Sequence, residues 1–224
     1  MARTKRVAVI LSGCGVFDGS EIHEATLSLL ALDQQGAVAI VVAPDVAQAK
    51  VHDHASARDV AGETRNVLVE SGRIARGNIR PVASLSADDV DAVLLPGGFG
   101  AALNLSTLAT AGAGLSVEPT TLAFLKAAYQ AGKPLGALCI APPILAKVLA
   151  ELGVKGARMT IGNDPATASV ITALGQTHVT CAATSFVADP ARRIVTSPAY
   201  MVAGGIAELW MGIHAAVEAL LEMA

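Results

Sequence analysis

The stretch that decides the fold is Leu135-Gly136-Ala137-Leu138-Cys139-Ile140-Ala141-Pro142-Pro143, a short apolar run that ends on a cysteine and continues into two prolines. The apolar run is typical of a buried strand. The prolines suit the first turn of a helix, where backbone N–H groups have no partner in any case. The stretch therefore predicts a strand, a sharp turn that presents Cys139, and a helix.

A cysteine on such a turn is placed to act as a nucleophile. The N-terminus of the following helix carries a partial positive charge, which favours a thiolate over a thiol. The arrangement parallels the nucleophile elbow of the serine hydrolases, with sulfur in place of oxygen. A buried structural cysteine is the alternative that this segment leaves open.

Outward from Cys139, short apolar runs alternate with amphipathic segments along the whole chain. We predict strands at 7–11, 37–43, 80–83, 92–95 and 135–138, a hairpin around Asp189-Pro190, and helices at 20–35, 118–131, 142–151, 164–174 and 202–223. Alternating strands and helices indicate a mostly parallel sheet that is covered on both faces. The sequence therefore predicts one α/β domain over residues 1–224, doubly wound, with its site at the carboxyl ends of the strands.

Some details of these elements are predicted from individual residues. Ser20 is the expected N-cap of the first helix, and Ile22 and Leu32 belong to its expected buried stripe. Residues 46–62 read as a polar excursion from the sheet. Residues 110–116 are small and read as a flexible loop or lid.

Composition narrows the classes of function. The net charge is −3, which does not favour nucleic acid or an acidic membrane surface as a partner. Although 53% of the residues are hydrophobic, no apolar run reaches the roughly 18 residues of a membrane helix. The three cysteines have no paired spacing, so we expect free thiols in a reducing compartment and a cytoplasmic location.

Loops that follow predicted strands should meet at one edge of the sheet. One such loop, 12–20, leads into the first helix, and another is Pro96-Gly97-Gly98-Phe99-Gly100. The glycines allow the backbone N–H groups of Gly97 and Gly98 to turn toward an anion. Together with the amide of Ile140 they would form an oxyanion hole beside Cys139.

Polar residues flank these loops and are candidates for the chemistry. Glu21 and Glu24 lie three apart on one helix face and are candidate acid–base residues. Acids also suit a helix N-terminus for structural reasons, so that alternative stays open for each. His23 and Cys14 are expected at the rim of the site, and Asn104 is a candidate substrate-binding residue.

Two other kinds of site are disfavoured. The glycine-rich loop lacks the lysine of a P-loop and the complete dinucleotide spacing, which excludes nucleotide binding. His52 and His54 flank Asp53 at a spacing that suits a metal, but a surface loop is the preferred interpretation. No metal site is predicted.

Taken together, these residues resemble the ThiJ/PfpI branch of the class I glutamine-amidotransferase-like superfamily. The resemblance rests on Leu-Pro-Gly-Gly-Phe-Gly-Ala-Ala-x-Asn-Leu at 95–105 and Gly-x-Leu-Cys-Ile-Ala-Pro at 136–142, with further matches at 12–25, 63–68 and 195–201. Within that branch the chain is similar to the ElbB group of isoprenoid-biosynthesis proteins. The resemblance extends from about residue 6 to the C-terminus.

The resemblance implies a flavodoxin-like sheet, a homodimer, and a glyoxalase that works without glutathione, metal or another cofactor. Its substrates would be small dicarbonyls such as glyoxal, converted to a hydroxy acid such as glycolate. The family's nucleophile maps onto Cys139, and the glutamate that hydrogen-bonds the sulfur maps onto Glu24, with Glu21 as the fallback. The oxyanion donors map onto the amides of Gly98 and Ile140.

The chain departs from the family pattern at several positions. The amidotransferase triad needs a downstream His-x-Glu, but His214 and Glu218 have the wrong spacing, so glutamine hydrolysis is not expected. Ile140 stands where many relatives have histidine. Leu103 stands where close relatives are expected to have lysine, which removes a cation near the site.

Two alternatives to the glyoxalase remain from the sequence. The chain would serve as a redox or carbonyl-stress sensor, or as an accessory protein, if Cys139 is oxidised readily and turns over little substrate. It would act as a protein deglycase or hydrolase if the glycine-rich rim admits protein adducts.

Overall fold

The computed structural model describes residues 3–224 and contains eleven strands and eight helices within them. The strands are β1 (Arg6–Ile10), β2 (Val38–Ala43), β3 (His52–Asp53), β4 (Arg58–Asp59), β5 (Arg80–Pro81), β6 (Ala92–Leu95), β7 (Leu135–Leu138), β8 (Arg158–Met159), β9 (Thr177–His178), β10 (Val187–Asp189) and β11 (Ile194–Ser197). The helices are α1 (Ile22–Gln34), α2 (Val67–Ile74), α3 (Phe99–Leu103), α4 (Leu108–Ala111), α5 (Pro119–Gln130), α6 (Pro142–Glu151), α7 (Pro165–Ala173) and α8 (Ile206–Glu222).

Seven of the strands form one sheet in the order β10-β11-β7-β6-β1-β2-β5. Every neighbouring pair is parallel except β10 and β11, which form an antiparallel edge. The carboxyl ends of β1, β6, β7 and β11 therefore meet at one edge of the sheet, where ligands bind in such folds.

Apolar side chains pack on both faces of this sheet. Successive residues of β1 point to opposite faces. Ala8 and Ile10 lie in a core that includes residues of α3 to α7, and Val7 and Val9 lie in a core that includes residues of α1, α2 and α8. Burial on both faces explains why the central strands are continuous apolar runs in the sequence. The predicted flavodoxin-like, doubly wound α/β fold is confirmed.

The first helix differs from the prediction at its start. Glu21, rather than Ser20, is the N-cap of α1, and its carboxylate accepts the amide of Glu24 at 2.7 Å. The hydroxyl of Ser20 instead accepts the amide of Ser12 at 2.8 Å. Ile22 is 44% exposed and lies outside the buried face of α1. Hydropathy alone misplaces it, because the buried face includes polar side chains. That face consists of Glu24, Ala25, Ser28, Ala31 and Leu32.

Two other segments are more ordered than predicted. The excursion at 46–62 contains the short antiparallel pair β3–β4. Residues 110–116 were predicted as a flexible loop or lid; they form the end of α4, a 3-10 turn at Gly112–Gly114, and a fully buried Leu115. Because Leu108 and Leu115 pack into the core, this segment is anchored to the domain.

Candidate active site

Cys139 lies on a strained turn between β7 and α6. Its φ of 57° is in the left-handed region, which is unfavourable for a residue with a side chain. Two hydrogen bonds hold the turn: the Cys139 amide donates to Ser197 at 2.9 Å, and the Ala141 amide donates to Leu138 at 2.9 Å. The predicted nucleophile elbow is present, and the side chain is 8% exposed.

Glu24 of α1 lies against this sulfur. Its carboxyl group is fully buried, and its charge acts on the neighbouring Cys139 thiol. Oε2 accepts the amide of Gly97 at 2.8 Å, and Oε1 accepts the amide of Tyr200 at 3.2 Å. Burial, followed by the charge of Glu21, raises the pKa of Glu24 to about 7. The carboxyl group can therefore hold or release a proton near neutral pH.

The surroundings of Cys139 disfavour a resting thiolate. Burial, followed by the Glu24 carboxylate, raises the pKa of Cys139 well above its ordinary value. The amides of Gly98 and Ile140 donate to the sulfur and act in the opposite direction, but they do not outweigh burial. The expectation that the helix N-terminus would stabilise a thiolate is thus corrected. The pair consists of a thiol and a carboxyl group that can accept its proton.

The loop after β6 fits tightly against this pair. A Cβ added to Gly97 would lie 2.5 Å from the Cβ of Cys139 and 2.8 Å from Oε2 of Glu24. Gly98 has a φ of 95°, and an added Cβ would overlap the amide nitrogen of Glu21. Glycine is therefore required at both positions by close contact, and at Gly98 also by backbone conformation.

Glu21 lies beside the pair and caps the helix that carries Glu24. Its Oε2 accepts the Glu24 amide, and its main-chain N–H donates to the carbonyl of Gly97 at 3.0 Å. Between the two acids that the sequence left open, the structure brings Glu24 into contact with Cys139. Glu21 contributes its negative charge, which raises the pKa of Glu24, and caps the helix that positions Glu24.

A cavity of about 440 Å³ opens onto Cys139. It is lined by Val16, Glu21, Gly98, Phe99, Cys139, Ile140, Asp164, Thr167, Tyr200 and Met201. The lining is mainly apolar, and its ionisable groups besides Cys139 are the carboxylates of Glu21 and Asp164 and the phenol of Tyr200. Within residues 3–224, no lysine, arginine or histidine contributes to this lining.

Sequence reasoning missed several of these residues. Tyr200 and Met201 come from the turn after β11, and Asp164 and Thr167 come from the N-terminal turn of α7. The signal for Tyr200 was available, because it follows a strand whose carboxyl end lies at the edge that also carries Cys139. The antiparallel hairpin partner of that strand concealed its parallel pairing with β7.

Asn104 does not take the substrate-binding place that we predicted. Its Nδ2 donates to the carbonyls of Ser12 and Asp18 at 2.9 and 2.8 Å, and its Oδ1 accepts the amide of Ala49 at 2.9 Å. The side chain is buried and is not among those that line the cavity. Its polar atoms join three backbone segments, so its role in the structure is to connect loops.

The two residues predicted at the rim lie in different places. His23 is exposed, and its Nδ1 is hydrogen-bonded to the Tyr200 hydroxyl at 2.8 Å, so it reaches the cavity only through Tyr200. Cys14 is a free, half-buried thiol outside the cavity lining, and its charged surroundings include Glu70 and Arg73 of α2. Burial raises the pKa of Cys14.

Two features of residues 3–224 bear on other functions. No group of three or more histidine, cysteine, aspartate or glutamate side chains in this range is arranged to hold a metal ion. None of the helices in the same range combines the length and the apolar character that crossing a membrane requires.

Comparison with known proteins gives close relatives. No family model matches the chain. It is 44% identical over 227 residues to the human mitochondrial protein called glutamine amidotransferase-like class 1 domain-containing protein 3, covering 97% of this chain and 83% of that protein. A crystal structure of an isoprenoid biosynthesis protein with an amidotransferase-like domain from Ehrlichia chaffeensis is 34% identical, with a TM-score of 0.91 over 98% of this chain and 99% of that one.

A more distant structure shares the fold. Glyoxalase III from Candida albicans superposes with a TM-score of 0.58 at 16% identity, over 98% of this chain and 95% of that one.

Proposed function

This chain belongs to the family of glutamine amidotransferase-like class 1 domain proteins, and we propose that it is a glyoxalase that converts glyoxal to glycolate at Cys139. The observation that carries the proposal is the burial of the Glu24 carboxyl group, whose pKa is about 7, beside the thiol of Cys139. The proposed reaction requires no glutathione or other cofactor. The fold that the chain shares with glyoxalase III is consistent with this chemistry.

The first step joins the sulfur to one aldehyde carbon. The Glu24 carboxylate takes the proton of the Cys139 thiol while the sulfur attacks the carbonyl carbon of glyoxal. The developing oxyanion is stabilised by the amides of Gly98 and Ile140, which point at the sulfur in the free protein. Return of the proton to this oxygen gives a neutral hemithioacetal and regenerates the carboxylate.

The second step moves hydrogen between the two carbons. Glu24 removes the proton from the carbon that is bonded to sulfur, an enediol forms, and Glu24 returns the proton to the neighbouring carbon. The first carbon is thereby oxidised to a thioester and the second is reduced to an alcohol. Water then hydrolyses the thioester, which releases glycolate and restores the thiol.

The surroundings of Cys139 fit this function better than they fit a redox sensor or glutamine hydrolysis. A redox sensor depends on an accessible thiolate, whereas Cys139 is buried and its pKa is raised. Glutamine hydrolysis by a triad depends on a histidine beside the cysteine, and the lining drawn from residues 3–224 contains no histidine.

The test is glycolate formation from glyoxal without glutathione, in the native protein and in variants of two cysteines. We expect Cys139→Ala and Cys139→Ser to lose turnover by roughly 10³-fold or more, because the nucleophile is absent or much weaker. Cys181→Ala is the matched control, since Cys181 is a half-buried free thiol outside the cavity lining, and it should retain native activity. No turnover by the native protein with its thiols reduced would refute the proposal.

A further inference from the structure

The proposed reaction moves two protons, and the Cys139–Glu24 pair accounts for only one of them. Glu24 carries a proton from one carbon to the other. In addition, the oxygen on the second carbon changes from carbonyl to hydroxyl, and the oxygen on the first changes from hydroxyl to the thioester carbonyl. One proton must therefore pass from the first oxygen to the second, and a group near the substrate has to carry it.

Tyr200 is the group in the cavity that is placed for this transfer. Tyr200 lines the same cavity as Cys139, and its main-chain N–H donates to Glu24 at 3.2 Å. Its hydroxyl lies 2.8 Å from Nδ1 of His23, which is exposed. The rings of Tyr200 and His23 have their centroids 5.9 Å apart. The same residue thus holds Glu24 through its main chain, belongs to the cavity lining, and carries a hydroxyl group on its side chain.

We propose that Tyr200 is a catalytic residue that carries the hydroxyl proton from the first substrate oxygen to the second, and that His23 positions its hydroxyl group. This inference rests on the glyoxalase reaction proposed above.

The proton transfers balance in two steps. When Glu24 removes the carbon-bound proton, the new C=C bond forms, the C=O electron pair moves onto the second oxygen, and that oxygen takes the Tyr200 hydroxyl proton. When Glu24 then protonates the second carbon, the first oxygen loses its proton to the phenolate and becomes the thioester carbonyl. Tyr200 ends as a phenol, and no oxidant, reductant or other co-reactant is consumed.

His23 stabilises the phenolate that exists between these steps. A neutral imidazole with its proton on Nδ1 donates to the Tyr200 oxygen and leaves the phenol proton free to face the substrate. The charged groups that act on the phenol are Glu21 and Glu24 from α1. Burial, followed by these two carboxylates, raises the pKa of Tyr200, which keeps the phenol protonated near neutral pH.

The test compares Tyr200→Phe with Tyr129→Phe in the full chain. Tyr129 is the other tyrosine of the sequence, and it packs against the core from α5. We expect Tyr200→Phe to lower kcat for glyoxal by roughly 10²-fold with KM nearly unchanged, since a general acid contributes on that scale. Tyr129→Phe should keep native kcat and KM.

Observation of the adduct shows which step fails. Mass spectrometry of Tyr200→Phe under non-denaturing conditions in excess glyoxal should still find the hemithioacetal, and the adduct should be absent when Cys139 is also replaced, because sulfur attack needs Cys139 but not the phenol. Native kcat in Tyr200→Phe would overturn the inference while leaving the glyoxalase intact. Absence of Cys139-dependent turnover in the native protein would overturn both.

Variants of His23 keep the inference testable if Tyr200→Phe fails to fold. His23 is exposed, so its replacement leaves the core unchanged. We expect His23→Ala to lower kcat by about 3- to 10-fold, the effect of one lost hydrogen bond. His23→Asn places an amide N–H near the position of Nδ1 and should restore most of the kcat that His23→Ala loses. If both variants have the kcat of the native protein, His23 has no positioning role and the inference is overturned.

Discussion

At the scale of single residues, a carboxyl group with a pKa of about 7 that is buried against a thiol couples stability to activity. The folded protein favours the protonated form of Glu24, because burial disfavours its charge. The proposed reaction needs the ionised form. The pH range in which Glu24 can act as a base is therefore the range in which its burial destabilises the fold.

This coupling predicts opposite pH trends for stability and turnover. The folded-state pKa of Glu24 is above its ordinary value of 4.5, so the unfolded state binds fewer protons between these two values. Stability from this group is present below about pH 4.5 and is lost as the pH rises through about 7. We expect the free energy of unfolding to fall by about 2–3 kcal/mol from pH 5 to pH 8 through Glu24 alone, while kcat/KM rises.

Glu24→Gln removes the ionisable group and therefore isolates the contribution of Glu24 to the pH dependence of stability. Chemical denaturation at several pH values should show a flatter profile for Glu24→Gln than for the native protein, and its turnover should be lost. Glu21→Gln is the control, because Glu21 does not contact the sulfur, and it should retain most of the native slope. An identical slope in native protein and Glu24→Gln would contradict the assignment.

Residue types at the site were predictable from the sequence, but their contacts were not. The strand, turn and prolines around Cys139 predicted the elbow. The spacing of Glu21 and Glu24 could not separate them, because residues three apart share one helix face. The N-cap decides between them: Glu21 turns its carboxylate to the helix end, and Glu24 turns into the core. Asn104 was misassigned because its backbone partners are distant in sequence.

At the scale of elements, the loop after β6 sets the distance between the nucleophile and its base. Gly97 contacts both groups, and the absence of a side chain there is what allows the thiol and the carboxyl group to approach each other. The two groups come from α1 and β7, which lie on different segments of the chain. The fit between elements, rather than a local motif, therefore defines the reactive geometry.

Gly97→Ala should separate this pair. The added Cβ would displace Cys139 and Glu24, so we expect turnover to fall by roughly 10²-fold and stability to fall by about 1–3 kcal/mol. Gly114→Ala is the matched control, since a Cβ at Gly114 meets no atom within 4 Å and its φ lies outside the left-handed region. Steady-state kinetics and chemical denaturation of both variants check this, and native kinetics in Gly97→Ala would contradict it.

The elements themselves were predictable where the pattern is long and periodic. The central strands β1, β6 and β7 and the helices α5 and α6 lie close to their predicted bounds, because double burial and proline starts leave clear signals. The start of α8 at Ile206, four residues later than predicted, follows the weak helix formers Gly204 and Gly205. The loop or lid expected at 110–116 contains the end of α4 and a 3-10 turn, because alanine also favours helical turns.

At the scale of the whole molecule, the negative charge of the site bears on which substrates the proposed reaction would accept. The net charge is −3, and the cavity lining carries the carboxylates of Glu21 and Asp164, with no lysine or arginine from residues 3–224. Leu103 stands where we expected a lysine in related chains. A substrate with its own negative charge would therefore enter an uncompensated acidic site.

Aldehyde inhibitors test this selection. Glyoxylate is anionic and glycolaldehyde is neutral, and both can form a hemithioacetal at Cys139. We expect glyoxylate to inhibit at least tenfold more weakly, because repulsion by nearby carboxylates contributes on this scale. Added salt and Glu21→Gln should each narrow the difference. Stronger inhibition by glyoxylate than by glycolaldehyde would contradict the prediction.

Alternating strands and helices were sufficient to predict the doubly wound sheet as a whole, because that pattern admits few topologies. The homodimer and the cytoplasmic location stay predictions. Helices α1 and α8 pack against each other, and both carry exposed apolar side chains, which would suit a surface that a second copy covers. These side chains are Ile22 and Leu30 of α1 and Ile206 and Met211 of α8.

The order in which the chain is synthesised has a consequence for the reactive thiol. Glu24 and Cys139 are made before β11, yet the carbonyl of Ser197 anchors the turn of Cys139 and the amide of Tyr200 holds Glu24. Until β11 pairs with β7, neither group has its final surroundings. A growing or truncated chain without β11 therefore lacks both contacts, and the two groups reach their final geometry only when the last strand is in place.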